Sequence, residues 1–413
     1  MQDVYIVGVG MTPFGRHLDQ TEKQLSALAV NAALLDAACE PKSVGAAFYG
    51  NCGQGYMQGQ HMIRGQIALL PLGLQGIPLV NVENACATAS TAFHMALTYV
   101  RGGSADVALA VGTEKMYSTD RAKMFGVFDS GWDLELVDET RSRFLAMGEG
   151  IVPPAGSTSP KPYSPFMDVY AGFSRLYMKR FGITQRQLAF IAAKNHGHSV
   201  HNQRSQFRMA LSTDEVLAAP PITYPLTLPM CSPISDGSAA VIVCTGEALA
   251  RYGFDRKRAV RILASVMRSA SERDGDDLDH HLTRLAAKTA YEQAGLGPKD
   301  IDVAEVHDAT AMGELMQTEM LGFCGFGEGG SFAESGATSL GGRIPVNPSG
   351  GLESKGHPIG ATGIGQIFEL VGQLRGECGA RQVEGARIAM QENGGGIWGI
   401  EESAAHVGIY AAA

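Results

Sequence analysis

The chain contains an internal duplication, which constrains its fold more than any other feature. Residues 28–51 and 285–308 align at a separation of 257 positions, and the same separation pairs Pro41 with Pro298. Each copy has the pattern of a strand, an amphipathic helix, a Pro-Lys turn and a second strand, which is an α/β unit. Because the unit occurs only twice, it predicts two pseudo-equivalent α/β halves and not a solenoid.

The order of the later segments supports the same division. In each half a block of small residues precedes a helix and a strand, and the strands are predicted at residues 107–111 and 386–390. Between the halves the pattern breaks into proline- and aromatic-containing loops with short helical runs, which predicts an inserted loop domain. A chain of 413 residues also exceeds a single ordinary core. The predicted domains are an N-terminal half, residues 1–116 and 231–258; the insertion, residues 117–230; and a C-terminal half, residues 259–413.

Composition and charge exclude several classes of protein. The net charge of −9 argues against nucleic acid as a partner. The seven cysteines give neither a disulfide framework nor a zinc-binding pattern, so we expect a reduced, cytoplasmic location. No uninterrupted apolar run of about 20 residues is present, and we expect no membrane span. From the residues at the two ends we expect no targeting signal.

Two short blocks carry the candidate chemistry. Residues 84–90 read NACATAS and place Cys86 just before an apolar-periodic helix, where free N–H groups and the helix dipole favour a thiolate. Residues 356–363 read GHPIGATG and place His357 in a glycine-rich turn that another segment can approach closely. Free cysteines are usually buried and inert. The two blocks together nevertheless predict a cysteine nucleophile with a histidine base.

Three other patterns invite a functional interpretation that we do not favour. Gly8 and Gly10 begin a dinucleotide fingerprint, but its third glycine is absent, so we reject NAD binding. A histidine cluster has no carboxylate or cysteine at ligand spacing, so we interpret it as loop histidines and predict no metal site. Aromatic residues in the insertion could line an acyl pocket, although packed core is the commoner role. The histidines are His196, His198 and His201, and the aromatic segment is residues 161–170 with Phe173 and Tyr177.

Taken together, the motifs resemble those of the thiolase superfamily, and specifically its sterol-carrier-protein-type branch, over nearly the whole chain. The matching stretches are residues 7–12, 84–90, 194–199, 235–238, 306–308, 347–352, 355–363, 374–377 and 393–396. The resemblance implies a thiolase fold, in which the two halves form a five-layer α-β-α-β-α sandwich and the insertion covers the active site. It also implies a homodimer or a dimer of dimers.

The resemblance assigns roles that elementary chemistry supports. Cys86 would attack an acyl-CoA thioester while His357 removes its proton, giving an acyl-enzyme. The backbone N–H groups of Cys86 and of the glycine turn at Gly395 would bind the oxyanion. His307 would polarise the second thioester carbonyl. Coenzyme A thioesters are then substrates, and we expect no permanently bound cofactor.

One departure from the family pattern bears on the reaction. Thiolases need a second acid/base, usually a cysteine, but Asn393 and Ala309 occupy the two places where relatives carry it. Neither side chain exchanges a proton near neutral pH. His307, Asp308 or Glu392 could substitute, and spacing alone does not decide which one reaches the site.

Three functions therefore remain open. The first is a thiolase-like acyltransferase of lipid or related metabolism that forms or cleaves C–C bonds on a branched, aromatic or dicarboxylic acyl-CoA. The second is acyl transfer to a nucleophilic acceptor other than CoA, such as a phenolic ring. The third is a non-catalytic acyl-CoA-binding subunit, which the intact Cys86 block disfavours. The resemblance also suggests a partner, a small subunit with an OB-fold and a zinc ribbon.

Overall fold

The computed structural model describes residues 2–413, which form eleven strands and fourteen α-helices. The strands are β1 (Val4–Met11), β2 (Ala46–Gly50), β3 (Leu79–Val82), β4 (Val107–Lys115), β5 (Pro221–Thr223), β6 (Leu226–Thr227), β7 (Asp236–Thr245), β8 (Val260–Ser269), β9 (Val303–Glu305), β10 (Ile388–Gly395) and β11 (Ala404–Ala412). The helices are α1 (Glu22–Asp36), α2 (Gln54–Gln58), α3 (Arg64–Leu69), α4 (Thr88–Arg101), α5 (Arg121–Gly126), α6 (Val137–Met147), α7 (Phe166–Phe181), α8 (Gln185–Ser199), α9 (Thr213–Ala218), α10 (Gly246–Arg251), α11 (Leu282–Ala294), α12 (Ala311–Met320), α13 (Gly329–Glu334) and α14 (Thr362–Arg375).

The strand order repeats between the two halves. The large sheet runs β3-β2-β4-β7-β1-β8-β11-β10-β9, so β2-β4-β7-β1 in the first half corresponds to β9-β10-β11-β8 in the second. Within the sheet, the two halves pair through β1 and β8, where Tyr5 pairs with Arg261 and Ile6 with Val260. This topology agrees with the two pseudo-equivalent halves that the duplication predicts.

Packing of helices on both faces of each half-sheet produces five layers. Helices α4 and α14 share one core with the inner faces of both half-sheets, through side chains such as Phe93 and Leu370. Helices α1 and α3 cover the outer face of the first half-sheet. Helix α11 covers the outer face of the second. The order α-β-α-β-α is the sandwich expected from the resemblance.

Gly8 and Gly10 have a packing role in this arrangement. Both lie inside β1, where α1 crosses the strand closely. A Cβ at Gly8 would lie 2.4 Å from the Ala33 carbonyl oxygen, and one at Gly10 would lie 2.2 Å from the Ala29 carbonyl oxygen. Glycine is therefore required by contact between strand and helix.

The insertion differs from the expected loops with short helical runs. Helices α7 and α8 are 16 and 15 residues long. Helix α8 begins with a capping box between Thr184 and Gln187, and both helices bury apolar side chains against Met312 and Leu315 of α12. The expectation was wrong because packing against the C-terminal half stabilises helices whose aromatic and histidine content is poor in helix propensity. Among the helices of residues 2–413, none has the length and apolar character needed to cross a bilayer.

Candidate active site

Cys86 lies in a tight turn that joins β3 to α4. A single 3-10 turn spans Ala85–Ala87, and α4 follows at once, so Cys86 occupies the predicted position at the start of the helix. Ala85 has a φ of 46°, a left-handed conformation that costs about 1–2 kcal/mol for a residue with a Cβ. The Ala85 N–H donates to Glu83 Oε1 over 2.6 Å, which holds this conformation. This left-handed residue brings the chain into the turn that places Cys86 just before α4.

The protonation state of Cys86 differs from the expected thiolate. Burial, together with the charges of Glu114 and Glu83, raises the pKa of the Cys86 thiol to about 12. The N–H groups of Gly396 and of Cys86 itself oppose this shift and lower the pKa. The expectation of a thiolate at neutral pH was wrong because desolvation and two carboxylates outweigh the helix start. Cys86 is a neutral thiol at rest and needs a base.

His357 has one ring nitrogen occupied and one free. Its Nδ1 lies 2.7 Å from Thr362 Oγ1, and the Thr362 hydroxyl donates to the Pro358 carbonyl oxygen over 3.1 Å. Thr362 therefore accepts from Nδ1–H, and Nε2 retains its lone pair. Burial and the neighbouring His307 lower the pKa of His357 well below its usual value, so the imidazole is neutral.

His307 stands beside His357 without ring hydrogen bonds. The two ring centroids are 5.2 Å apart, and neither ring nitrogen of His307 has a partner although the side chain is buried. Burial lowers the pKa of His307 to about 4. A neutral imidazole with both nitrogens free can donate a hydrogen bond to a bound carbonyl.

The structure brings the three predicted catalytic side chains together. One donor atom each from Cys86, His307 and His357 all lie within 4.8 Å of one another. Cys86 comes from the first half and both histidines from the second, so the two halves meet at this point. The same spacing would also admit a metal ion.

The glycine turn at the end of β10 lies against the Cys86 turn. A Cβ at Gly395 would lie 2.4 Å from the Ala87 nitrogen and 2.9 Å from the Cys86 nitrogen. Gly395, the predicted oxyanion donor, thus permits close contact between β10 and the nucleophile turn. The N–H of the next residue, Gly396, is one of the two backbone groups that lower the pKa of the Cys86 thiol.

Asp308 and Glu392, two of the predicted acid/base substitutes, are held in other contacts, as is Asn393. Asp308 accepts hydrogen bonds from Leu352 N, Glu353 N and Asn195 Nδ2. Glu392 Oε2 accepts from His307 N over 2.9 Å. Asn393 Oδ1 accepts from Ser90 Oγ over 2.7 Å. None of these three side chains lines the cavity that contains Cys86.

The walls of the cavity are mainly apolar. The cavity has a volume of about 50 Å³. Its lining includes the three catalytic candidates with Phe128, Phe166, Met167, Tyr170, Ile234, Ala309, Ile397 and Glu402. The aromatic segment therefore divides: Phe166 and Tyr170 line the cavity, while Phe173 and Tyr177 belong to the packed core.

Glu402 is the lining residue that the sequence did not reveal. It follows a tight turn in which Trp398 and Glu401 exchange backbone hydrogen bonds, between β10 and β11. Its Oε1 accepts from Gln317 Nε2 over 3.0 Å. Burial raises the pKa of Glu402 to about 7. A carboxylate seven residues beyond the recognised Gly395 turn was the available signal.

A wide groove leads from the protein surface to this cavity. It has a volume of about 1020 Å³ and shares Ser164, Met167, Ser232, Pro233 and Ile234 with the cavity lining. Four cationic side chains line it, and all four are exposed: Arg16, Arg121, Lys161 and Arg208. The groove can therefore admit a long anionic substrate from solvent.

Two of the three clustered histidines in the insertion are part of a helix. His196 and His198 lie in α8, so the expectation of loop positions was wrong for them. His198 Nδ1 is 3.0 Å from the Asn347 carbonyl oxygen, and its Nε2 accepts from Leu340 N over 3.1 Å. His201 lies just beyond the helix and is exposed. The capping box at the start of α8 is the signal that predicts the helix.

Family models match both halves of the chain. "Thiolase, N-terminal domain" matches residues 4–215, and "Thiolase C-terminal domain-like" matches residues 264–407. Among curated proteins, the chain is 38% identical over 402 residues to sterol carrier protein 2 of Homo sapiens, covering 95% of this chain and 70% of that protein. It is 38% identical over 400 residues to acetyl-CoA acetyltransferase of Methanothermobacter thermautotrophicus, covering 97% and 98%.

A further relative is the benzoylsuccinyl-CoA thiolase subunit BbsB of Thauera aromatica, 35% identical over 400 residues, with 95% of this chain and 94% of that one covered. Among solved structures, the Ltp2-ChsH2(DUF35) aldolase aligns with a TM-score of 0.76 at 22% identity, covering 99% and 98%. Human mitochondrial 3-ketoacyl-CoA thiolase in complex with CoA aligns with a TM-score of 0.71 at 18% identity, covering 100% and 98%. The chain belongs to the thiolase family of acyltransferases, in the branch that contains sterol carrier protein 2.

Proposed function

We propose that this thiolase-family acyltransferase acts on acyl-CoA thioesters through a covalent acyl-Cys86 intermediate and forms or cleaves a C–C bond. The observation that carries the proposal is the meeting of Cys86, His307 and His357 within 4.8 Å in one buried cavity. A free His357 nitrogen can take the thiol proton as sulfur attacks the carbonyl carbon. His307 then donates to the second thioester carbonyl.

The oxyanion is assigned to backbone donors. The N–H groups of Cys86 and Gly396 already approach the sulfur, so they lie near any carbonyl oxygen bonded to the acyl carbon on that sulfur. Two fixed donors stabilise a tetrahedral oxyanion without reorganisation at the moment of reaction. We assign this role to Cys86 and Gly396, with Gly395 keeping the turn close.

The groove is proposed as the binding site of the CoA moiety. Its cationic rim, formed by Arg16, Arg121, Lys161 and Arg208, complements the phosphates of a CoA thioester. Its inner end adjoins the cavity that contains Cys86. The apolar cavity wall with Phe128, Phe166 and Tyr170 suits an aromatic or branched acyl group better than a dicarboxylic one. BbsB is named for benzoylsuccinyl-CoA, which supports an aromatic group but also carries a dicarboxylic succinyl part.

Assembly is proposed as a homodimer or a dimer of dimers. Strand β3 is one of the two edges of the large sheet, and apolar side chains on and beside it are exposed: Met62 by 76%, Ile63 by 58% and Val80 by 41%. An exposed edge strand with apolar neighbours is suited to pairing with a second copy. The aldolase neighbour, whose name joins Ltp2 to ChsH2(DUF35), supports a small second subunit as a further partner. Light scattering of the purified chain tests the homo-oligomer.

The experiment that tests the function is intact-mass spectrometry after exposure to a panel of acyl-CoAs, including acetyl, branched and aromatic esters. We expect an added acyl mass on the wild type and none on Cys86→Ala. The same exposure after treatment with a chelator should give the same acylation, because the cysteine chemistry needs no metal. Acylation abolished by chelation and restored by zinc would assign the three donors to an ion. No acylation with any ester would contradict the proposal.

A further inference from the structure

Glu402 occupies the cavity where the family's second acid/base would be needed. It lines the same wall as Cys86, His307 and His357, and it is the carboxyl group among the described lining residues of that cavity. Its Cγ would lie 2.8 Å from a Cβ at Gly394, so it packs directly over the glycine turn whose next two residues touch Cys86. Its position is therefore fixed relative to the nucleophile.

The surroundings of Glu402 hold the side chain in one orientation. Gln317 Nε2 donates to Oε1 over 3.0 Å. Oε2 lies 3.5 Å from His281 Nε2. His281 Nδ1 accepts from Thr283 N over 3.2 Å, so the ring proton of this neutral imidazole is on Nε2 and points towards the carboxyl group. The backbone N–H of Glu402 itself also lies close to the carboxyl group and lowers its pKa. Held in this way, Glu402 lines the cavity.

Both protonation states of Glu402 are accessible at neutral pH. Burial is the main cause that raises its pKa to about 7, with Glu401 adding to the shift and Arg273 opposing it. Arg273 is itself paired with Glu401 over 2.5 Å, which limits the influence of that second carboxylate. The titratable or charged groups that face Glu402 from the elements packed against it are Glu401, Arg273, His281, Tyr170 and Glu392.

We propose that Glu402 is the second catalytic acid/base, which exchanges the proton of the carbon nucleophile and of CoA in place of the cysteine that relatives carry at the positions of Asn393 or Ala309. This inference rests on the proposed function. In synthesis, the Glu402 carboxylate removes a proton from the α-carbon of an acyl-CoA. The resulting carbanion attacks the carbonyl carbon of acyl-Cys86, the new C–C bond forms, and the Cys86–acyl bond breaks as the sulfur recovers its proton from His357. Glu402 passes the α-proton to the CoA thiolate that leaves when Cys86 is next acylated.

Cleavage runs through the same groups with all atoms accounted for. His357 takes the Cys86 proton, sulfur attacks the 3-oxo carbon, and the departing α-carbon takes its proton from the Glu402 carboxylic acid. The resulting carboxylate then takes the thiol proton of CoA. CoA sulfur attacks acyl-Cys86, and the departing Cys86 sulfur recovers its proton from His357. Each side chain returns to its starting state, and no oxidant or reductant is needed.

The test separates acylation from α-proton exchange in the full-length protein. For the acyl-CoA that labels Cys86, we would measure acylation by intact mass and deuterium uptake at its α-carbon in D₂O. In Glu402→Gln we expect exchange slowed by at least about 10²-fold, the usual contribution of a positioned acid/base. Acylation of the same variant by an activated aryl ester, whose leaving group needs no proton from Glu402, should stay within about threefold of wild type. Glu319→Gln is the matched control, since Glu319 is a buried carboxyl group with a pKa raised to about 7 that belongs to another part of the fold.

The pH profile distinguishes a catalytic carboxyl from a structural one. Exchange by wild type should fall as the pH drops through about 7, because the carboxylate is lost, and Glu402→Gln should lack this limb. Normal exchange in Glu402→Gln, or a wild-type profile without that limb, overturns the inference while acylation leaves the proposed function intact. If Glu402→Gln fails to fold, the wild-type profile and Glu402→Asp, which keeps a carboxyl group, decide the matter. Failure of wild type to acylate would instead contradict the proposed function.

Discussion

The ring nitrogen Nδ1 of His357 lies 2.7 Å from the hydroxyl oxygen of Thr362. Because that hydroxyl donates its own proton to Pro358, the contact fixes the tautomer of the imidazole and leaves Nε2 as the free base. Thr362 is the first residue of α14, so the helix that follows the GHP turn also sets the chemical state of its histidine.

Removal of the base should abolish acylation and leave the fold intact. We expect His357→Ala to slow single-turnover acylation of Cys86 by at least about 10²-fold. Thr362→Val should cost less, about 10-fold, because the base remains but its tautomer is no longer fixed, and Thr362→Ser should restore the wild-type rate. Rapid-quench intact mass measures all three. A near-normal rate in His357→Ala would mean that another group activates the thiol.

The reactivity of Cys86 should rise with pH. Its pKa of about 12 keeps the thiol protonated at neutral pH, so the rate of alkylation by iodoacetamide should increase about 10-fold per pH unit from 7 to 9. Glu83→Gln removes one charge that raises this pKa while retaining an acceptor for Ala85 N, so labelling should be a few-fold faster. Peptide mapping of labelled protein gives the rates. A pH-independent rate would indicate a preformed thiolate.

The cationic rim should act on the CoA moiety alone. We expect Arg121→Ala and Arg208→Ala each to raise the KM for a CoA thioester by up to about fivefold, since an exposed ion pair is worth up to about 1 kcal/mol. The same variants should be unaffected with an acyl-pantetheine, which lacks the nucleotide phosphates. Lys42→Ala, an exposed lysine that pairs with Glu40, is the control. Equal losses with both thioesters would contradict the assignment of the groove.

The seam between α4 and α14 should tolerate no added methyl group. A Cβ at Gly363 would lie 2.0 Å from Ser90 Oγ and 2.6 Å from Asn393 Oδ1, so Gly363→Ala should destabilise the protein by about 2–3 kcal/mol. Gly197→Ala, in α8 with open space around the added Cβ, should instead be neutral or stabilising by about 1 kcal/mol. Urea unfolding at fixed protein concentration measures both. Equal stability of the two variants would contradict this packing.

The sequence could predict the features that depend on local residue patterns. The duplication predicted the repeated strand order, and the NACATAS and GHPIGATG blocks predicted the residues that meet in the cavity. The raised pKa of the Cys86 thiol was not predictable. Glu114 is brought near Cys86 only by tertiary structure, and the burial of the thiol has no local sequence signal. Glu402 was missed for the same reason: only the turn between β10 and β11 places it over the glycines.

Asp308 is the opposite case, a residue that the sequence suggested as catalytic but that structural hydrogen bonds occupy. Its place in the His-Asp pair suggested a catalytic carboxyl group, but tertiary contacts commit both of its oxygens to Leu352, Glu353 and Asn195. Sequence spacing can predict which face of a strand a residue lies on. It does not predict which residues from distant parts of the chain will hydrogen-bond to it. Likewise, α7 and α8 became long helices because α12 supplies the surface on which they pack.

Cys86 begins α4 and His357 lies just before α14, and these two helices share the middle layer between the half-sheets. The nucleophile and its base therefore cannot be inherited as separate modules, although each half repeats the same topology. A chimera that joins the first half of this chain to the second half of a relative must reproduce the contact of Gly363 with Ser90 and of Gly395 with the Cys86 turn. Recombination within the family is thus limited by the fit of this one layer more than by the fold of either half.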